Sequence, residues 1–225
     1  MRYGLIADIH GRRNHLELVL EHINTFSDID EIICLGDVFE VKVSKKQLPN
    51  FVFHDIEQVI DIDLKLLELL SGYQLVRGNQ EERVLHLVPR EKIPAELHPF
   101  FLNLPSDIDL PEMARITHGH NFNWVDYPGG YWHPVITKWE RPWLFYGHNH
   151  QNALFLVREK NGSWYYDRQE IVIGKPLKLD PKSCFLINVG DIKRPTPSWV
   201  LYDNEEGTVT FYTLARLNNI KGVEE

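Results

Sequence analysis

The pattern of apolar and polar residues differs between the first and second parts of the chain. In the first part, short apolar runs at 3–7, 31–35 and 73–76 predict buried strands. Between them, apolar residues recur at helical spacing and predict amphipathic helices over 14–26 and 55–70. Strands that alternate with helices in this way are typical of an α/β sheet.

The remainder of the chain is dominated by strands. Several prolines interrupt 82–111, which we expect to carry one or two short helices. The dipeptide Asn161-Gly162 predicts a tight hairpin turn. The absence of repeats and linkers predicts a single domain over 1–225 with two packed sheets and an aromatic-rich insertion at about 121–143. Strands are predicted at 114–117, 143–146, 153–159, 164–169, 171–173, 184–189, 199–202 and 208–213.

Composition and charge exclude several classes of protein. With 43% hydrophobic residues the chain can bury a core, so we do not expect disorder. A net charge of -8 gives no reason to expect an extended nucleic-acid footprint, which needs clustered Lys and Arg. No apolar run is long enough for a membrane span. Cys34 and Cys184 lie in strand-like apolar runs, which predicts buried free thiols and a cytoplasmic protein.

Polar residues follow the strands of the first part at matching places. Asp8 and His10 follow the first strand, Asp37 the second and Asn79 the third. Because side chains alternate along a strand, we expect Asp8 and His10 to face one place together. An oxygen and an imidazole nitrogen held there would form half of a metal site. Taken alone, the pair also fits a buried Asp bonded to the backbone and a His in a turn.

Histidines supply matching ligands in the second part of the chain. One follows the predicted strand at 114–117, and two follow the predicted strand at 143–146. Together with the earlier residues they make seven nitrogen and oxygen ligands, which is too many for one tetrahedral zinc ion. The number suits two metal ions that share a bridging carboxylate. The predicted ligands are Asp8, His10, Asp37, Asn79, His118, His148 and His150.

These loops resemble the ordered blocks of the calcineurin-like metallophosphoesterases, and most closely their small bacterial and archaeal phosphodiesterase branch. The resemblance implies a four-layer α-β-β-α sandwich of two mixed sheets flanked by helices. It also implies that Asp8, His10 and His150 hold one metal ion, that Asn79, His118 and His148 hold the other, and that Asp37 bridges them. The blocks match at Asp8/His10, Gly36-Asp37, Gly78-Asn79, His118-Gly119 and Gly147 to His150, with an altered later block at 188–191.

The resemblance further implies a hydrolase with two divalent ions, drawn from Mn, Fe, Ni, Zn or Mg, with Mn favoured. Two such ions lower the pKa of a bound water and neutralise charge that builds on a phosphate. The expected substrate is a small organic or nucleotide phosphodiester. The alternatives are a phosphomonoesterase, a dinucleotide polyphosphate hydrolase, or a non-catalytic metal-binding scaffold of the same fold. Association into a homo-oligomer is left open.

Four positions bear on substrate choice. Gln80 stands where much of the family has a histidine that protonates the leaving oxygen, and glutamine cannot supply a proton. Arg12 follows the first ligand loop and could meet a phosphate, although a solvent-exposed charge at a helix start fits it equally well. His120 fits either a contact with the substrate phosphate or a structural role. The residues directly after Asp37, at 38–40, include no arginine, which argues against the protein phosphatases of the wider family.

The insertion at 121–143 is rich in aromatic residues, and Pro128-Gly129-Gly130 makes a regular helix unfavourable there. Because it connects two ligand strands, we expect it to lie beside the metal site. It would either stack a base or another flat group of the substrate, or pack locally or contact another subunit.

Overall fold

The computed structural model describes residues 1–44, 46–111 and 113–215. The described α-helices are α1 (Arg13–Ile23), α2 (Leu64–Leu70), α3 (Asn79–Leu87) and α4 (His98–Phe101). The described strands are β1 (Arg2–Ile6), β2 (Glu31–Cys34), β3 (Gln74–Leu75), β4 (Asp107–Asp109), β5 (Ala114–Thr117), β6 (Trp124–Tyr127), β7 (Tyr131–Pro134), β8 (Trp143–Tyr146), β9 (Asn152–Lys160), β10 (Ser163–Arg168), β11 (Leu177–Lys178), β12 (Cys184–Val189), β13 (Ser198–Asp203) and β14 (Thr208–Thr213).

Two sheets of six strands form the centre of the molecule. The first sheet has the order β11-β14-β13-β1-β2-β3, and the second has the order β10-β9-β12-β8-β5-β4. Both are mixed, since β1 runs parallel to β2 but antiparallel to β13, and β8 runs parallel to β5 and β12 while β9 runs antiparallel to β12. The prediction of an α/β fold with two mixed sheets is confirmed.

One apolar cluster joins the two sheets face to face. It contains Leu5 and Ile33 from the first sheet and Phe145 and Ile187 from the second, all fully buried. Alternation along each strand explains this, because every second side chain points into the space between the sheets. Leu144 and Leu186, the neighbours of Phe145 and Ile187, belong to a separate cluster outside the second sheet.

The two outer faces are covered by different elements. All four described α-helices contribute to the cluster on the first sheet, which also contains Ile32 and Cys34 of β2. The second sheet is covered by the hairpin β6–β7, whose aromatic side chains pack on it. There the rings of Tyr127 and Phe155 lie 5.2 Å apart, and His133 stacks on Tyr166 at 3.9 Å. The four-layer arrangement is therefore completed by a pair of strands on this side.

The predicted helix over 55–70 is wrong in its first half. Residues Ile56–Gln58 form one 3-10 turn, and α2 begins only at Leu64. Asp63 caps this later start, because its carboxylate accepts N–H groups of Lys65 and Leu66 at 3.0 and 3.3 Å. The apolar residues of 55–62 kept helical spacing without forming a continuous helix.

Two other boundaries also differ from the prediction. No strand forms at 171–173, and the short strand β11 at 177–178 pairs with β14 instead. The helix α3 begins at Asn79, inside a stretch predicted to be a polar loop. Glu81 explains this early start, since its carboxylate accepts the N–H of Gly78 at the helix N-terminus at 2.9 Å.

Both cysteines are free thiols, as predicted. Cys34 is fully buried, whereas Cys184 is only half-buried at the start of β12. Among the described residues, no helix is long and apolar enough to cross a lipid bilayer. The division of the chain into one domain stays a prediction.

Candidate metal centre

The predicted ligands lie in loops whose backbone is strained. Seven described residues other than glycine have a positive φ, and five of them are predicted ligands. Such left-handed conformations cost energy for residues with a side chain and cluster at functional sites. The five are Asp8 (54°), His10 (48°), Asp37 (54°), His148 (73°) and His150 (59°).

Asp8 and His10 do lie together, but not for the predicted reason. The strand β1 ends at Ile6, so strand alternation does not extend to either residue. Their left-handed backbone turns the two side chains toward each other, with His10 Nε2 3.7 Å from Asp8 Oδ1. His150 Nε2 approaches the same Asp8 oxygen at 3.5 Å. These three residues form one group of ligand atoms within 4.8 Å of one another.

A second group of predicted ligands converges on Asn79. Its side-chain oxygen Oδ1 lies 3.0 Å from His118 Nε2 and 2.8 Å from His148 Nδ1. The Asp37 carboxylate lies between the two groups, since Oδ1 is 3.5 Å from His118 Nε2 and Oδ2 is 3.6 Å from His10 Nε2. The structure therefore brings all seven predicted ligands to one place.

The donor atoms lack the partners that would satisfy them. Asp8 Oδ1 and His10 Nε2 are buried without a hydrogen-bond partner among the described residues. His118 donates its Nδ1–H to the carbonyl of Leu35 at 2.8 Å, and burial lowers the pKa of this histidine to about 4. Its Nε2 therefore carries a lone pair that faces the oxygen atoms of Asn79 and Asp37. A cation is the partner that suits lone pairs turned toward one another, so the residues present fit a metal site.

The buried charges of the site also favour a bound cation. Asp8, Asp37 and Glu81 are all nearly or fully buried. Burial and the neighbouring carboxylates of Glu81 and Asp8 raise the pKa of Asp37 well above its usual range. Burial also works to raise the pKa of Asp8, but the contact with His10 and the nearby His118 bring it below the usual value. Divalent cations would favour the ionised form of these carboxylates.

Glu81 has a structural role that the sequence did not reveal. Its carboxylate accepts the backbone N–H groups of Asp37, Val38 and Gly78, each at 2.9 Å. In return, the backbone N–H of Gln80 donates to Asp37 Oδ1 at 2.8 Å. The start of α3 and the Asp37 loop thus hold each other in position.

Two acidic residues outside the predicted set contact predicted ligand histidines. Asp191 Oδ2 lies 2.9 Å from His150 Nδ1, and Glu40 Oε2 lies 2.8 Å from His10 Nδ1. Burial alone would lower the pKa of His150, but the hydrogen bond to Asp191 raises it above the ordinary value. A carboxylate behind a metal-ligating histidine fixes its ring orientation. Glu40 follows the predicted ligand Asp37 by three residues, and Asp191 is the last residue of the altered block at 188–191; these were the signals available for finding them.

Two glycines allow the ligand loops to approach each other closely. A Cβ at Gly78 would lie 2.3 Å from Asp37 Oδ1, and a Cβ at Gly147 would lie 2.6 Å from Asp8 Oδ2. The Gly-Asn and Gly-His pairs of the sequence are therefore packing requirements of the neighbouring carboxylates.

The residues predicted near substrate occupy different settings. Gln80 is buried, and its Oε1 accepts the N–H of Val41 at 3.2 Å. His120 Nε2 lies 3.1 Å from Glu82 Oε2, and its ring is 5.2 Å from the His118 ring. Arg12 is exposed at the start of α1. The neighbouring Arg13, in contrast, pairs with Asp63.

The aromatic insertion does lie beside the site. The ring of Trp124 is 5.5 Å from the ring of His148. Asn149 and Gln151, within and just after the His148–His150 loop, donate from their side-chain amides to the carbonyls of Trp132 at 2.9 Å and Gly130 at 2.8 Å. The hairpin is therefore tied to the ligand loop through its turn and its second strand.

Several solved structures align with this chain over most of its length. A metallophosphoesterase from Sphaerobacter thermophilus aligns with a TM-score of 0.65 at 18% identity, covering 95% of this chain and 88% of that chain. A putative diadenosine tetraphosphatase aligns with a TM-score of 0.53 at 17% identity, covering 96% and 94%. The phosphoesterase YfcE from E. coli aligns with a TM-score of 0.46 at 19% identity, covering 95% and 100%. A search of curated proteins found no match.

A family model supplies the assignment that these low identities do not. The model described as the calcineurin-like phosphoesterase superfamily domain matches residues 1–207. The matched region contains all seven predicted ligands, as well as Glu40, Glu81 and Asp191 around them. The chain therefore belongs to the calcineurin-like phosphoesterase superfamily, a family of metal-dependent phosphoester hydrolases.

Proposed function

We propose that this chain is a phosphodiesterase that uses two divalent metal ions to hydrolyse a small organic or nucleotide phosphodiester. The observation that carries the proposal is the convergence of seven donors into two neighbouring groups, with the Asp37 carboxylate near a histidine of each. Asp8, His10 and His150 would hold one ion, Asn79, His118 and His148 the other, and Asp37 would bridge them. When bound, two such ions supply a hydroxide nucleophile near neutral pH and offset negative charge on the phosphate.

The protein's own part is to hold these donors rigidly in one geometry. Asp191 and Glu40 fix the rings of His150 and His10 from behind. Glu81 fixes the backbone around Asp37. Such preorganisation avoids the cost of rearranging dipoles during the reaction. The nitrogen and oxygen donors accept Mn, Fe, Ni, Zn or Mg, and we favour Mn.

A diester fits the charge around the site better than a monoester. The loop after Asp37 carries Glu40 in place of an arginine, and Glu40 pairs with Lys193 Nζ at 2.6 Å. A phosphomonoester dianion would therefore find no guanidinium on this loop. A diester carries a single negative charge and needs less compensation. This favours a phosphodiesterase over a protein phosphatase.

Gln80 limits the leaving groups that we expect the enzyme to accept. Its amide cannot donate a proton to a leaving oxygen, and its Oε1 is engaged by the backbone of Val41. Diesters with acidic alcohols or phenols as leaving groups should therefore be hydrolysed much faster than simple alkyl phosphates. Equal turnover of an alkyl phosphate and an activated aryl diester would contradict this expectation.

One assay separates the proposed activity from its alternatives. Purified protein with Mn²⁺, Ni²⁺, Zn²⁺ or Mg²⁺ is tested on bis(4-nitrophenyl) phosphate, 4-nitrophenyl phosphate and diadenosine tetraphosphate. We expect metal-dependent hydrolysis of the diester, and a loss of about 100-fold or more in Asp37→Asn. Absence of turnover with every metal would leave the metal-binding scaffold as the better description, whereas full activity in Asp37→Asn would contradict the proposed two-metal mechanism. Cytoplasmic location and self-association stay predictions.

A further inference from the structure

A pocket opens beside one half of the candidate metal centre. It has a volume of about 580 Å³, and its lining includes Asn79 and His148. The other lining residues include Glu82, Arg83 and His86 of α3. A substrate whose phosphate reaches Asn79 and His148 would extend into this pocket.

Helical geometry explains why these residues share the pocket. Asn79, Glu82, Arg83 and His86 are spaced at i, i+3, i+4 and i+7 along α3, so they lie on one face of the helix. The pocket thus follows this face for about two turns away from the metal ligands. Whatever part of the substrate lies next to the reacting phosphate meets the Arg83 side chain one turn further on.

The guanidinium of Arg83 is held in place by the residues around it. Nη1 donates to Gln80 Oε1 at 3.3 Å, and Nη2 donates to the carbonyl of Val43. Its Nε is buried without a hydrogen-bond partner among the described residues. Since a guanidinium has five N–H groups, these contacts leave it with donors for a further acceptor.

The same contacts give a reason for Gln80. Its Oε1 accepts both from Val41 and from Arg83, which links the loop before residue 44 to α3. A histidine in this place would bring a second potential cation next to Arg83. A neutral amide supplies a permanent acceptor instead. Gln80 is thus suited to position Arg83.

Arg83 is the main fixed positive charge among the residues that line the pocket. The nearby carboxylate of Glu82 lies 3.1 Å from His120 Nε2, so it is directed at that histidine. Arginine is the side chain best matched to a phosphate, because its planar fork offers two parallel N–H groups.

We propose that Arg83 determines specificity by binding a second phosphate of the substrate, so that the preferred substrates are nucleotide diesters that carry further phosphate groups. Gln80 is the positioning residue for this arginine. The inference rests on the proposed function, since it names the substrate class of the same site. It explains why a family member would replace the usual histidine while keeping every predicted metal ligand.

The test compares substrates with one phosphate and with several. With Mn²⁺ present, kcat/KM is measured for bis(4-nitrophenyl) phosphate and diadenosine tetraphosphate in wild type, Arg83→Gln and Arg83→Lys. We expect Arg83→Gln to lose about tenfold or more on the tetraphosphate and less than about twofold on the aryl diester. On the tetraphosphate, the kcat/KM of Arg83→Lys should lie between those of wild type and Arg83→Gln, because lysine keeps the positive charge but lacks the planar fork of N–H groups. Arg90→Gln, an exposed site just beyond α3, is the matched control and should change neither value.

Binding provides a readout that does not depend on turnover. Binding is measured by calorimetric titration with adenosine diphosphate and adenosine monophosphate. Arg83→Gln should bind the diphosphate about tenfold more weakly than wild type and should bind the monophosphate with unchanged affinity. An equal loss on both substrates, or equal affinities for both nucleotides in wild type, would overturn the inference and assign Arg83 to support of the loop at Val43. Hydrolysis of the aryl diester without binding or hydrolysis of the tetraphosphate would also overturn it, while the proposed function would stand. If wild type hydrolyses nothing, the proposed function fails and the titration still decides about Arg83.

Discussion

Single residues in this molecule fix the distance between loops that are far apart in sequence. Gly78 allows Asp37 to approach the start of α3, and Gly147 allows Asp8 to approach the last ligand loop. Asp191 is hydrogen-bonded to the ring of His150, and Glu40 lies 2.8 Å from the ring nitrogen Nδ1 of His10. Substitutions at these residues should therefore act on metal binding first and on substrate only as a consequence.

The first prediction concerns Gly78. Its φ of -94° is accessible to any residue, so Gly78→Ala tests steric contact alone. The added Cβ would lie 2.3 Å from Asp37 Oδ1 and 2.4 Å from Asp37 N, which forces the bridging carboxylate to move. We expect a destabilisation of about 2 kcal/mol and at least about tenfold weaker metal binding.

Gly4→Ala is the matched control for Gly78→Ala. Gly4 lies within β1, and the nearest atoms to an added Cβ are 3.5 Å away, which is ordinary contact. Urea unfolding and Mn²⁺ titration are measured on both variants. A Gly78→Ala protein that binds Mn²⁺ as tightly as Gly4→Ala would show that the close approach is not required.

The second prediction concerns Asp191. Asp191→Asn removes the charge behind His150 while keeping an oxygen in nearly the same place. We expect the ion next to His150 to bind about 10- to 100-fold more weakly. Metal titration followed by calorimetry measures this, with Asp180→Asn, at an exposed turn, as the control for loss of one negative charge. Equal metal affinities in the two variants would argue against an orienting role for Asp191.

At the scale of secondary structure elements, the unusual feature is the hairpin β6–β7. It fills the outer layer on the second sheet and is tied to the His148–His150 loop by Asn149 and Gln151. Trp124 packs on Tyr146 and approaches His148, whereas Trp132 on the opposite strand is 45% exposed. One element thus combines a packing surface with an exposed aromatic residue near the site.

The third prediction separates these two roles of the hairpin. Trp124→Ala should lower the free energy of unfolding by about 2 kcal/mol, because a large half-buried ring leaves an unfilled space. Trp132→Ala should change it by less than about 0.5 kcal/mol. Urea unfolding of metal-free protein measures both. If the exposed Trp132 contributed as much as Trp124, local packing alone would account for the whole aromatic segment.

At the scale of the whole molecule, the candidate centre joins the two sheets. Asp8 and Asp37 follow strands of the first sheet, while His118, His148 and His150 follow strands of the second. Ions bound between them would act as cross-links at one edge of the sandwich. Metal binding should therefore stabilise the entire fold and not merely its loops.

The fourth prediction is this stabilisation. Mn²⁺ at about 100 times its dissociation constant should add about 2.7 kcal/mol to the free energy of unfolding. For a protein of this size this raises the melting temperature by about 5–10 °C, and a chelator should reverse the change. Calorimetry of wild type and Asp37→Asn measures it, since the variant should lose most of the shift. A shift of full size in Asp37→Asn would show that the ion stabilises the protein from another place.

Local sequence predicted most of the longer strands, but it missed β4, the hairpin β6–β7 and β11, and it placed a strand at 171–173 that does not form. Short apolar runs predict buried strands, and β1, β2, β8 and β12 are such runs, with nearly every residue buried. The polar residues that follow these runs can be read from the sequence directly. The first residues of helices were predicted less accurately than the strands. At Asp63 and Glu81, one capping side chain decided where α2 and α3 begin. Those hydrogen bonds depend on geometry that periodicity does not report.

The sequence by itself determined the order of the strands' polar ends and therefore the seven donors of the site. The tertiary structure alone decided how they meet: Asp8 and His10 converge through left-handed backbone, and Asp191 and Glu40 stand behind two histidines. It also decided that an aromatic hairpin forms the fourth layer and that Arg83 shares a pocket with Asn79. The physical reason is that donors are set by residue type, whereas convergence depends on contacts between segments distant in the chain.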